Sequence, residues 1–399
     1  MIPPPSNDAA GSVHPTRVLV MIDTLLAGGA ERLAVELACG LDRARFAPHV
    51  LVTRYTGPLE SLLQAAEVPY TVLGRTRRLQ LGAWVTAHRL ARKTDLIHAH
   101  KFGSNIWGAL LARTARKPFI AHEHNFAAEA SRVRTLLDRR WIAPRAERIV
   151  CVSESVAAVE RSIGIPEHVL TVVPNGVRLE AAWPRAAARE ELGLDQNDFV
   201  IGIVGRLRPE KAHEVAFRAL ASLVAAGRSV RLCVVGDGPR LAELRALAAE
   251  LGIEAHVTWA GERQDAARLA GAFDVSTICS HWEGLPLAAL EALAAGSPLA
   301  ATAVGGLPDL LAGGAGLLVP AGDAEALATA IARCQDDTGL ARELGLAGQR
   351  RVREHYGFRR MVHRVEELYT ETLLRTVGAP PLLEDTNHQS KHTGQGEAA

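Results

Sequence analysis

The sequence predicts an α/β protein with two doubly wound parallel sheets that face each other across a cleft. Three observations predict it. Short apolar runs alternate with helical ones, which is how parallel sheets covered on both faces read in sequence. That alternation stops and then restarts near the middle of the chain. The length, 399 residues, suits two domains at roughly 100–200 residues each.

Each element follows from local pattern. RVLVMID (17–23) is a continuous aliphatic run, as expected of a strand buried on both faces, and LLAGGAERLAVELA follows as a glycine turn and a helix. APHVLVT (47–53) precedes a helix near 57–67, and DLIHAH (95–100) precedes the helical SNIWGALLART. FIAHEH (119–124), ERIVCVS (147–153) and LTVVPNGV (170–177) supply further strands. The second series opens with DFVIGIVG (198–205) and a helix from about 210 to 226, then SVRLCVVG (229–236) and the helical PRLAELRALAAELG. HVTWAG, FDVSTICS and SPLAAT complete it, and residues 323–376 read as helical. The expected layout is a disordered segment 1–16, a first domain 17–180, a junction near 178–197 and a second domain 190–357. A helix 358–376 returns to the first domain, and the polar tail 378–399 is disordered.

Composition narrows the function classes. The formal net charge of +1 gives no reason to expect a nucleic-acid partner. The halves differ: residues 1–180 hold 23 Lys plus Arg against 16 Asp plus Glu, and the remainder holds 22 against 28. A basic first half suits an anionic partner or is simply a solvated surface. RTRRLQLGAWVTAHRLARK (75–93) and SRVRTLLDRRWIAPR (131–145) interleave arginines with apolar residues. They read either as a peripheral contact with an anionic membrane or as ordinary surface helices. The five cysteines are odd in number and scattered, with no CxxC pair; Cys151 and Cys233 read as buried thiols, which favours a reducing, cytoplasmic setting. The N-terminus lacks the basic and apolar segments of a signal peptide. The longest uncharged run, Ala292 to Pro308, is too short and too interrupted by Gly and Pro for a membrane span.

The motifs fall where strands end, and in open parallel sheets ligands bind beyond those ends. The richest is CSHWEGLPLAALEALAAGSPLAATAVGGLPDL (279–310). Glu283, Gly284, Leu285, Pro286 and Leu287 form a loop entering a helix, and Glu291 follows eight positions after Glu283. Pro286 fits the first helical turn, where its missing N–H costs nothing. The free N–H groups and positive end of a helix suit a diphosphate, and two acids nearby suit the hydroxyls of a ribose and a sugar. GIVGRLRPEK (202–211) places Gly205, Arg206 and Lys211 at a strand-to-helix turn. Two cations at that turn either grip a phosphate or are solvated, and a helix start disfavours cations that have no anion to bind. LLAGGAERL offers Gly28 and Gly29 for close approach by a ligand, or as a plain turn. GDGPRL (236–241), with Gly238, is an incomplete dinucleotide fingerprint, because its third glycine is Leu241.

His98, His100, His122 and His124 form two HxH pairs on two strands. Each pair shares a face. Without a further ligand in the sequence they read as buried neutral histidines rather than a metal site, with His124 free to meet a sugar. No Asp-x-Asp occurs to hold a divalent ion on a diphosphate, and no GxSxG, Walker A or HExxH motif is present. No metal or cofactor is expected.

In order along the chain, GGAER, DLIHAH, EHN, VSES, VPNGV, GRLRPEK, VGDGP, EGLPLAALEALAAGSP and GGLPDLL resemble the motifs of retaining glycosyltransferase family four, over about residues 17–370. The resemblance implies the GT-B architecture, an acceptor-binding first domain and a nucleotide-sugar-binding second domain. It implies that Arg206 and Lys211 bind the diphosphate, Glu291 the ribose and Glu283 the transferred sugar or its phosphate. Gly284 to Leu287 would lie beside that sugar, His124 would face it, and Gly28 and Gly29 would approach the phosphate from the other domain. Gly261, Glu262 and Arg263 would lie against the base. One departure is visible: Ala212 follows Lys211 where the family usually has glycine. The implied activity is metal-independent transfer of a sugar to a glycan or lipid-linked acceptor in cell-surface polysaccharide or glycolipid synthesis. A nucleotide-sugar epimerase and a non-catalytic nucleotide-sugar-binding module are the alternatives.

Overall fold

A computed structural model describes residues 14–77, 80–124, 132–179 and 181–377. The segment expected to be disordered at 378–399 lies outside these residues, as does 1–13. Thr16, expected within the disordered N-terminus, instead opens the first strand and pairs with Phe46.

The first sheet contains β1 (Thr16–Thr24), β2 (Phe46–Tyr55), β3 (Tyr70–Val72), β4 (Leu96–His100), β5 (Phe119–Glu123), β6 (Arg148–Cys151) and β7 (Leu170–Val172), in the order β3-β2-β1-β4-β5-β6-β7. The second contains β8 (Phe199–Val204), β9 (Val230–Val235), β10 (Val257–Gly261), β11 (Val275–Ile278), β12 (Leu299–Thr302) and β13 (Leu317–Val319), in the order β10-β9-β8-β11-β12-β13. Neighbouring strands run parallel throughout. Strand order reverses between β1 and β4 and between β8 and β11, so each sheet opens a crevice beyond the carboxyl ends at that point. The edge strands β3 and β13 were not expected. They are three residues long and only partly buried, so they carry no long apolar run to read.

The junction is not a plain linker. It contains a helix, Arg185–Glu191, whose fully buried Arg189 donates to the carbonyls of Ala272, Asp195 and Gln196 and to Asp274 at 2.7–3.1 Å. These contacts attach it to the second body. The region 323–376 divides into helices Ala324–Asp336, Thr338–His355 and Phe358–Val377. Asp323 and Asp337 cap the first two through Ala326 N and Leu340 N, at 2.8 and 2.9 Å. The last helix lies on the first body. Its Glu366 accepts from Asp42 N at 2.7 Å and pairs with Arg45 at 3.2 Å, and its buried Tyr369 meets Phe46 edge-on.

The two bodies touch. Leu285, Leu287 and Leu290 of the second belong to the same buried apolar cluster as β1, β4 and β5 of the first. Among the described residues, no helix is long and apolar enough to cross a membrane.

Candidate active site

A cavity of about 990 Å³ lies between the bodies. Its lining includes Gly28, Gly29, His124, Gly205, Arg206, Lys211, Arg263, Glu283, Gly284, Leu285, Pro286, Leu287 and Glu291. Gly238, Gly261 and Glu262 are not among the lining residues. Gly238 packs on the backbone of Leu207, and Gly261 ends β10 with φ +68° and accepts from Gly236 N at 2.7 Å. The incomplete fingerprint thus builds the loop behind Arg206 rather than the wall of the cavity.

Two helix starts face each other across this space. The first helix begins at Gly29, and a Cβ added there would come within 3.9 Å only of Leu287, which opens the helix Leu287–Ala294 of the other body. Pro286 stands one residue before that helix, in extended conformation, rather than within its first turn. A Cβ on Gly28 would lie 2.8 Å from Arg206 Nη2 and would overlap the Glu31 carboxylate, so the Arg206 guanidinium reaches the opposite loop.

Several of the charged groups are paired. Lys211 Nζ donates to Glu283, whose Oε1 also accepts from Ser280 Oγ at 2.6 Å. Glu291 accepts from Arg32 of the first body at 2.7 Å, and Arg32 also holds Glu36 at 2.8 Å. Lys101 Nζ donates to Glu31 at 2.6 Å. Arg263 is held at 2.8 Å by Glu191 and Asp265.

Close backbone packing fixes the loop. A Cβ on Gly284 would overlap the His124 carbonyl oxygen, and one on Gly305, at φ +58°, would overlap that of Glu283. Gly306 N donates to Gly284 O, and Asn175 Nδ2 donates from the first body to Leu285 O, each at 2.7 Å. Ala212 explains the departure in the GRLRPEK motif. It is wholly buried at φ 46°, ψ 44°, a left-handed conformation that glycine adopts freely and alanine adopts at a cost of about 1 kcal/mol.

Sequence reasoning missed four contributors. Arg32 and Asn175 stand inside motifs noted in the sequence, but only their long-range partners reveal their work. Lys101, at φ 71°, lines the cavity with no local signal. Glu123 lines it too, and accepts from Asn105 at 2.6 Å and from Arg134 at 3.4 Å. Burial, with Glu160 nearby, pushes the Glu123 carboxyl up to about 8. Burial also raises Glu160 to about 7 and Asp138 to about 6. On the opposite face of β5, burial holds His122 down to about 3 and keeps His124, His98 and His100 well below the usual imidazole value. His124, the one of these rings that lines the cavity, is therefore neutral.

The family profile described as Glycosyl transferases group 1 matches residues 184–351, and Glycosyltransferase Family 4 matches 27–181. A D-inositol 3-phosphate glycosyltransferase of Nocardia farcinica is 32% identical, covering 86% of this chain and 84% of that one. The chain belongs to the glycosyl transferases group 1 family. This glycosyltransferase is also 28% identical to the Escherichia coli UDP-Gal:alpha-D-GlcNAc-diphosphoundecaprenol alpha-1,3-galactosyltransferase, over 73% of the chain and 80% of the relative. Anabaena Alr3699/HepE in complex with UDP and glucose superposes with a TM-score of 0.81 at 23% identity, covering 89% of this chain and 99% of that one. The fold of the glycosyltransferase is GT-B.

Proposed function

We propose that the chain transfers a sugar from a nucleoside-diphosphate sugar to an acceptor hydroxyl, with retention of anomeric configuration and without a metal. One observation supports this above the others: two helix N-termini, Arg206 and Lys211 converge on one interdomain cavity that also holds Glu283 and Glu291. A diphosphate there meets positive helix ends and two cations, whose charge-assisted hydrogen bonds are the stronger class. The donor exchanges partners with the pairs present. The diphosphate takes Lys211 from Glu283, and the ribose hydroxyls take Glu291 from Arg32. Glu283 and His124 then face the sugar. The acceptor oxygen bonds to the anomeric carbon as the bond to the phosphate oxygen breaks. The attack comes on the face the diphosphate leaves, and the departing phosphate oxygen takes the acceptor proton. The protein's contribution is stabilisation of the leaving charge and positioning.

The second body binds the donor and the first binds the acceptor. The E. coli relative's name specifies a lipid diphosphate acceptor and the Nocardia relative's an inositol phosphate, so both acceptors carry phosphate. Lys101 and Arg134 put cations on the acceptor side of the cavity. The acceptor is accordingly a phosphate-bearing glycan, lipid-linked in cell-surface polysaccharide or glycolipid synthesis. The helix Leu81–Arg92 exposes Leu81 and Val85 among its arginines, and Arg132–Leu137 exposes Val133 and Leu136. They form a contact with the anionic inner face of a membrane, and vesicle binding that ignores anionic lipid content would remove that part.

A thermal-shift panel of UDP-, GDP- and ADP-sugars tests the donor, since a ligand at about 100 times its Kd adds roughly 2.7 kcal/mol. The anomeric configuration of the transfer product, read by NMR, tests retention. Turnover that vanishes with EDTA and returns with manganese would refute metal independence.

A further inference from the structure

The last two helices meet in a strongly basic stretch. Residues 349–364, QRRVREHYGFRRMVHR, hold six arginines and two histidines against one acid, Glu354. The helix Thr338–His355 ends there, and Phe358–Val377 begins after a turn at Tyr356 and Gly357. The chain also crosses back to the first body at this turn. Val177 N donates to Tyr356 O, and Phe358 N to Val177 O, each at 2.9 Å. A Cβ on Gly176 would lie 2.9 Å from Gly357 O, so the crossing is tight.

A second cavity, of about 520 Å³, opens beside the crossing. Val173 and Pro174 of the first body form an apolar side, and Arg351, His355, Arg360 and Arg364 form a basic one. Among the described residues, no acid lines it. The basic groups come as two pairs, each four residues apart and so on one face of its helix. Arg351 and His355 stand at the carboxyl end of one helix, where the dipole favours cations. Arg360 stands in the first turn of the next, where the dipole opposes them, and Arg364 repels it from one turn on.

Local groups answer only part of this charge. Arg364 meets Glu367 at 2.9 Å and Glu371 at 3.7 Å, and all three side chains are exposed. Arg351 Nη2 donates to the Asp309 carbonyl at 2.6 Å, but its Nε is buried without a partner. A buried donor left unmet is costly. The Arg360 guanidinium has no hydrogen bond or ion pair among the described residues.

We propose that this cavity is a second anion site, which takes a phosphate group carried by a larger ligand. Guanidinium forks match phosphate oxygens, and such charge-assisted bonds are the stronger class. Val173, Pro174 and Met361 give the rest of the ligand an apolar wall. The site shares no lining residue with the donor cleft. It stands behind the same loop, however. Pro174 precedes Asn175, which holds Leu285 O, and Arg351 holds the helix Leu307–Leu310, whose preceding residue, Gly306, donates to Gly284 O. A soluble phosphate ester and a lipid headgroup share this chemistry.

Calorimetric titration of the full chain with inorganic pyrophosphate tests the site. The wild type should bind at two places. Arg360→Ser with Arg364→Ser should weaken one at least tenfold and spare the other, and Arg206→Ser with Lys211→Ala should do the reverse. Both hinge arginines are exposed, so that variant should keep its melting temperature. Absence of binding in the wild type would overturn the inference. So would a single site lost with Arg206 and Lys211 and untouched by the hinge pair, and that result would leave the donor reading standing. Flotation with vesicles names the source. Binding to phosphatidylglycerol but not phosphatidylcholine, lost in the hinge variant, marks a headgroup, and vesicle binding that ignores the variant marks a soluble ester.

Discussion

The two walls of the cleft handle charge in different ways. The wall on the second sheet presents ions near solvent, with Lys211 against Glu283 and Arg206 reaching toward Gly28. The first body lines the cavity with charged groups too, Lys101, Glu31 and Arg32 among them, but behind these its sheet is buried, with four imidazoles on one face of the β4–β5 pair and the Glu123–Arg134 cluster on the other. Charge that can change partners suits a ligand that arrives and leaves as an anion. Buried neutral rings suit a group whose protonation must not change while the anion comes and goes. Substitutions on the two walls should therefore fail differently.

The largest contrast comes from Lys211→Ala. It should leave a folded protein whose turnover falls at least about 10²-fold, the lower end for one leaving-group stabiliser. Steady-state kinetics alongside circular dichroism checks this, and near-normal turnover would erase the contrast. Gly284→Ala tests where the walls touch. Its Cβ would overlap the His124 carbonyl oxygen, so stability should drop about 1–3 kcal/mol, as in other overpacked sites. Urea denaturation measures the drop, and turnover should fall with it.

The first wall should show itself in pH dependence. Glu123 and Glu160 are raised to about 8 and about 7 from an ordinary 4.5. Between those values the folded state binds more protons than the unfolded chain, so stability falls as pH rises through that window. The depressed histidines act oppositely, and stability should fall as pH drops below about 6.5. Glu123→Gln should flatten the alkaline side by about 1 kcal/mol or more and leave the acid side alone. Melting curves across pH would show it, and an unchanged alkaline slope would count against the cluster. The smallest effect belongs to Ala212→Gly, which relieves a left-handed alanine and should raise stability by up to about 1 kcal/mol. A lower melting temperature would contradict that.

The same asymmetry decided what the sequence could show. The charged wall is written in continuous stretches: GRLRPEK and EGLPLAALE each bring their own charged residues close behind one strand end, although the ion pairs they make lie 72 and 259 positions apart. Strand runs such as RVLVMID and DFVIGIVG are aliphatic because parallel strands are buried on both faces, and that made the two sheets legible. The buried histidine face is assembled from β4, β5 and the last helix, and no local pattern announces that Tyr369 lies against His98, 271 positions away. Lys101 was invisible for a different reason: its backbone conformation is positive in φ, and residue type does not reveal that. Gly238, Gly261 and Glu262 were placed at the cavity because glycine loops after strands look alike in sequence, whether they meet a ligand or brace the loop that does.

Asn175 holds the carbonyl of Leu285 from the other side of the interface, and this limits how the molecule can be taken apart. The loop around Glu283 owes part of its shape to the other half of the chain. A chimera joining the second half to a foreign first half would need a side-chain amide at this position, whatever its acceptor. Recombination between relatives should therefore tolerate breakpoints only where that handshake survives.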